Sequence, residues 1–138
     1  MPGTFLMKLD SMQPSQLFIS SEKLSEVMRS SAPLVPESIE PVPVRQLGEQ
    51  VILTDGHTRA LAAFLAGLSE VRAFWDEDEL DWEAYAICVE WCREEGVHTV
   101  ADLAGRVVSP EEYELLWHER CRQMHRQLQA KRGVKQEG

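Results

Sequence analysis

From Val51 to Gly67 the chain reads as a strand, a tight turn and a helix, and this unit constrains the fold more than any other stretch. Val51-Ile52-Leu53 is a β-branched, apolar run of strand character. Asp55-Gly56 is a turn pair, and Ala60, Leu61, Ala62, Ala63, Phe64, Leu65 and Ala66 form a slim helix that stops at Gly67. The first amides of a helix have no partner within it and stand at the positive end of its dipole. A turn of this kind is therefore suited to an anion. Gly56 allows close approach, Arg59 can fork onto phosphate oxygens, and His57 can donate a hydrogen bond or hold a proton near neutral pH. Asp55 can cap the helix, hold a divalent cation or accept a proton.

The rest of the chain gives this unit a setting. Phe5 to Leu9 suits an edge strand, and Ser20-Ser21 can cap a helix through Leu24, Val27 and Met28. Prolines 33, 36, 41 and 43 predict an irregular connection. Val42 and Val44 begin a strand, Gly48-Glu49 turns it, and Val71 to Trp75 is a further strand. Beyond Leu80 the pattern becomes helical. Asp81 caps one helix, Thr99 a short one, and Ser109-Pro110-Glu111-Glu112 is a capping box that opens the last. This predicts an α/β (α+β) domain over residues 1–80, a helical extension over 81–130 and a flexible tail over 131–138.

Composition excludes several classes. With 138 residues, 43% of them hydrophobic, the chain can build a core, and no apolar run is long enough to span a membrane. The start lacks a basic stretch followed by an apolar one, so a cytoplasmic location is expected. Three cysteines are too few and too odd for a disulfide framework. A net charge of −9 disfavours nucleic acid, and glutamates 111, 112 and 114 oppose reading Thr99 to Met124 as a DNA-binding helix-turn-helix. Cys88, Cys92, His118, Cys121 and His125 have spacings that permit a zinc site, but core packing accounts for them better. Trp75, Trp82, Trp91 and Trp117 are expected in the core.

From Met7 to about Asp78 the chain resembles the ParB/sulfiredoxin-like superfamily. The resemblance rests on Met12-Gln13-Pro14 after a first strand, Val42-Pro43-Val44, Ile52-Leu53-Thr54-Asp55-Gly56-His57-Thr58-Arg59-Ala60, and Ala66-Gly67-Leu68 before a strand. Partitioning ParB proteins carry G-E-R-R at the turn, sulfiredoxins G-C-H-R and the superfamily's free-serine kinases D-G-H-H-R; D-G-H-T-R is most similar to the last. The resemblance implies that Gly56, His57, Thr58 and Arg59 bind the phosphates of ATP or ADP, or of CTP, with magnesium. It implies a phosphotransferase acting on a small hydroxyl-bearing acceptor, or a nucleotide hydrolase, with Asp55 and His57 catalytic and Asp55 on the metal. His57 replaces the sulfiredoxin cysteine, so that repair chemistry is not expected. Gln13-Pro14-Ser15-Gln16 lacks the glutamate that the serine kinases use. Two alternatives follow: a non-catalytic ligand-sensing or protein-interaction module that pairs as a homodimer through the helical extension, and a DNA-associated partitioning-type protein.

Overall fold

The computed structural model describes residues 3–137, with side chains as far as Gly133. Strand β1 (Phe5–Lys8) leads through a single 3₁₀ turn to a short strand β2 (Ile19–Ser20) and helix α1 (Ser21–Ser30). Strands β3 (Val42–Leu47) and β4 (Gln50–Leu53) form a hairpin about Gly48, and helix α2 (His57–Leu65) and strand β5 (Glu70–Trp75) follow. Helix α3 (Trp82–Glu94) and a 3₁₀ segment (Val100–Arg106) lead to strand β6 (Val107–Val108). The chain ends in helix α4 (Pro110–Tyr113), a π-helical turn (Glu114–His118) and helix α5 (Glu119–Glu137).

The sheet has the order β1-β5-β3-β4, with β5 parallel to β3 and the two outer pairs antiparallel. The expected edge position of the first strand is observed. Beyond β4, Gln13 takes the place of a further strand: its amide donates to the Val51 carbonyl (3.0 Å) and its carbonyl accepts from Leu53 (2.9 Å). This brings the segment after Pro14 alongside the end of β4.

Side chains repeat with a period of two along a strand, so Val42, Val44, Leu53, Val71 and Ala73 all bury on one face. Helix α2 packs between this face, α1 and the 3₁₀ segment, so its Ala60, Leu61, Ala62 and Ala63 are all without solvent exposure. The small alanines let the helix axis approach the sheet, and burying Leu61 alone is worth roughly 1.5–3 kcal/mol.

The shift in composition at Leu80 does not interrupt this core. Cys88, Cys92, Val97, Val100, Leu103, Trp117, Met124 and Leu128 belong to the same buried cluster as the sheet. Strand β2 pairs in parallel with β6, and the Gln13 side-chain amide donates to the Val97 carbonyl at 2.9 Å. The stretch 131–137, expected as a tail, continues α5, and Arg132 forks onto Asp81 at 2.8 and 3.1 Å. Gly138 lies outside the described residues. Of the tryptophans only Trp117 is buried; Trp91 packs edge-on against it, Trp82 lies under Arg45, and Trp75, the last residue of β5, is half exposed beside Phe5.

Candidate functional site

The turn after β4 is fixed before it reaches α2. The Thr54 amide donates to the Pro43 carbonyl (3.1 Å), its hydroxyl to Asp76 Oδ2 (2.8 Å), and its carbonyl accepts from the Tyr85 hydroxyl (3.1 Å). The chain then reverses at Gly56, whose φ of 75° lies in the left-handed region open to glycine. Space demands glycine as well. A β-carbon there would stand 2.7 Å from Arg59 Nη2 and 3.0 Å from Val42 Cγ1. The Arg59 guanidinium is thus folded back over the turn, with Nη2 donating to the Pro41 carbonyl (3.3 Å) and Nη1 3.7 Å from the exposed Glu40 carboxylate. Its Nε is buried without a partner among the described residues.

Asp55 does not close the helix. Its Oδ1 accepts from the adjacent Gly56 amide at 2.8 Å, Gly56 is the capping residue, and no side chain accepts from the first turn. Neither oxygen of the Asp55 carboxylate accepts from the first-turn amides. The first turn's intrahelical bonds begin with Ala60 donating to the Gly56 carbonyl (3.0 Å), and the amides of His57, Thr58 and Arg59 have no hydrogen-bond partner among the described residues. Three N–H groups at the positive end of a nine-residue helix, with a guanidinium beside them, form an anion-binding arrangement.

Of the two expected roles of His57, holding a proton near neutral pH does not fit its surroundings. The ring is 3% exposed, and its Nε2 accepts the Ser15 amide at 3.0 Å. Burial depresses its pKa from 6.5 to about 4, against the pull of Asp55 and with a smaller push from Arg59. The ring is therefore neutral at neutral pH and does not hold a second proton there.

Two open pockets meet at this turn. One, of about 450 Å³, lies over the helix start and is lined by Lys23, Gly56, His57, Thr58 and Tyr113. The other, of about 710 Å³, is lined by Thr54, Phe74, Asp76, Asp78 and Tyr85. Asp55 and Arg59 line both. A third cavity, of about 310 Å³, lies behind His57 against Ala84, Cys88, Trp117, Cys121 and Met124. All five predicted residues therefore converge on one place. Lys23, Thr54, Asp76, Tyr85 and Tyr113 were missed. Lys23 and Tyr113 are linked, since the ammonium lies 5.5 Å from the centre of the phenol ring. Tyr113 also accepts from the Gln16 side chain at 3.0 Å. Burial raises the titration of both tyrosines, Tyr113 to about 12, so both remain protonated. Nothing in the spacing of Tyr85 or Tyr113 marks them as site residues; only the docking of the helical extension onto the sheet brings them here.

Comparison with known proteins bears on the fold. The fold is shared with a solved structure. Protein Atu1540 from Agrobacterium tumefaciens superposes with a TM-score of 0.51 over 75% of this chain, at 14% identity. The chain spans 62% of that protein's length, and at this identity the likeness concerns architecture alone. No protein-family model matches the chain, and no curated protein matches it.

The donor set separates phosphate from metal. Among the described residues no three His, Cys, Asp or Glu side chains stand close enough together to hold a metal ion. Asp76 spends one oxygen on Thr54 and the other on the Asp78 amide (2.9 Å). The described residues around Asp55 therefore form no cage of protein ligands for a cation. The cysteines serve packing: Cys88 and Cys92 are buried, and burial pushes Cys92 up to about 12. Cys88 is held higher still by its hydrogen bond to Cys121, whose own titration that bond lowers.

Proposed function

We propose that this chain binds the phosphate groups of a nucleotide (ATP, ADP or CTP) at the start of α2. The observation that carries the reading is the set of unpartnered amides of His57, Thr58 and Arg59 beside the Arg59 guanidinium. These groups are fixed before any ligand arrives, so little ordering cost falls on binding. Lys23, without an ion pair among the described residues, adds a second cation to the same pocket. Magnesium would enter on the phosphate and meet Asp55.

The shared wall extends the reading to phosphoryl transfer. Phosphates over α2 and a small hydroxyl-bearing acceptor, or water, in the larger pocket would have Asp55 and Arg59 between them. The acceptor oxygen would form a bond to phosphorus as the bond to the leaving phosphate oxygen breaks. Asp55, where it is not occupied by the metal, would take the hydroxyl proton, and Arg59 would offset the charge that builds up. A second reading, binding without turnover, is favoured by the loop after β1: the stretch Gln13-Pro14-Ser15-Gln16, where the resembling kinases use a glutamate, holds no carboxylate, and the Ser15 amide donates to His57.

Thermal melting with ATP, ADP, CTP and inorganic phosphate, each with and without magnesium, tests the binding claim. A ligand at a hundred times its Kd adds about 2.7 kcal/mol, a shift on the order of several degrees at this size. The shift should appear in wild type and vanish in Arg59→Ala. Absence of a shift with all four would remove the nucleotide reading. Binding without phosphate release or transfer would select the second.

A further inference from the structure

Beyond packing, the three cysteines differ in their chemistry. Cys88 and Cys92 stand one turn apart on α3, and Cys121 lies on α5, which packs directly against α3. The Cys88 thiol hydrogen-bonds to the Cys121 sulfur. Both side chains line the open cavity of about 310 Å³ between the helical extension and the turn after β4. Cys92 does not line it and has no solvent exposure. Sulfurs already in hydrogen-bond contact have only a short way to close to the roughly 2.05 Å of a disulfide. Among the described residues no group of three ligating side chains forms a metal site, so the two sulfurs make a dithiol without a metal to hold.

The pair is also asymmetric. Thiol exchange needs a thiolate and a path to it. Cys121 is only partly buried, and the hydrogen bond from Cys88 and the neighbouring Arg120 both favour its thiolate. Cys88 is buried and is held as a thiol by that same bond. We propose that Cys121 and Cys88 form a reversible dithiol–disulfide site that exchanges with a low-molecular-weight disulfide, with Cys121 attacking first and Cys88 resolving. In the first step the Cys121 thiolate bonds to one sulfur of the small disulfide, whose S–S bond breaks to release one thiolate, which takes up a proton from water. In the second, the Cys88 sulfur bonds to Cys121, the mixed disulfide breaks, and the Cys88 proton leaves with the second small thiol. Two protein thiols are oxidised and one small disulfide is reduced to two thiols. The product staples α3 to α5 at the wall that the cavity shares with Ser15, Thr54 and His57. This site stands independently of the phosphate-binding reading.

The test incubates the full chain with excess oxidised glutathione, quenches in acid, alkylates the free thiols under denaturing conditions and cuts after glutamates. Cleavage after Glu90 separates Cys88 from Cys92. Free thiols should fall from three to one, the survivor being Cys92, with the Cys88 and Cys121 peptides joined until dithiothreitol is added. In Cys88→Ala the reaction should stop at a mixed disulfide of Cys121 with glutathione. In Cys121→Ser, Cys88 should remain a free thiol. The wild-type map decides the matter should either variant fail to fold. Three free thiols after exposure, a mixed disulfide at Cys121 that persists in wild type, or a bond that pairs Cys88 with Cys92 or joins two chains overturns the proposal. Reaction of Cys88 in Cys121→Ser overturns it as well.

Discussion

Two helices in this chain begin in opposite ways. At the start of α3, Asp81 accepts the Ala84 amide at 3.3 Å and Arg132 of α5 locks the same carboxylate, so a side chain caps that end and its charge is met within the chain. At the start of α2 the carboxylate turns back to Gly56, the capping residue has no side chain, and three amides face a pocket. The first arrangement puts its charge complement into stability. The second, on the proposed reading, leaves the complement to a ligand, and it holds a glycine, a folded-back arginine and a buried histidine. Consistency at most positions with a local exception at one is the pattern expected of a functional site.

The comparison breaks most visibly in acid. His57 titrates near 4 when folded and at 6.5 when unfolded, so the unfolded chain takes the proton first. The contribution is fully present above pH 6.5 and is lost as the pH falls toward 4, amounting to about 3 kcal/mol. Urea unfolding between pH 7 and pH 4 should show this loss, and His57→Gln should flatten it. Asp81 behaves differently, because the Arg132 hydrogen bond holds its carboxyl below the usual carboxylate range and preserves that cap into stronger acid.

Gly56→Ala should come next. The left-handed backbone and the 2.7 Å approach to Arg59 together should cost about 2 kcal/mol in urea unfolding and displace the guanidinium, so phosphate binding should fall as well. Asp81→Ala should cost about 1 kcal/mol, the ordinary price of a lost cap, and leave ligand binding unchanged. If Asp81→Ala impaired binding as much as Gly56→Ala, the contrast between the two helix starts would lose its meaning.

Much of this was legible in the residues. The β-branched run at Val51–Leu53, the turn pair Asp55-Gly56 and the alanine-rich segment to Gly67 each specify their local form, and the structure agrees at β4 and α2. The cap at Thr99 and the capping box at Ser109 were equally readable, since their partners lie within four residues. Relations across the chain were not. Asp55 had the composition of a cap, but the left-handed turn at Gly56 directs its carboxylate elsewhere. A proton-carrying role stayed open for His57, beside that of hydrogen-bond donor, because nothing local shows that Ser15 and the packed extension remove it from water. Tyr85 and Tyr113 reach the pockets only through the docking of α3 and α4, a long-range result of one continuous core.

The most direct measurement follows the backbone amides of both helix starts in one ¹H–¹⁵N titration with ATP and magnesium. The account predicts saturable shifts at His57, Thr58 and Arg59, with Ala84 at the closed start of α3 unmoved. Shifts that never saturate, or that fall on Ala84 and leave the α2 amides in place, would contradict it.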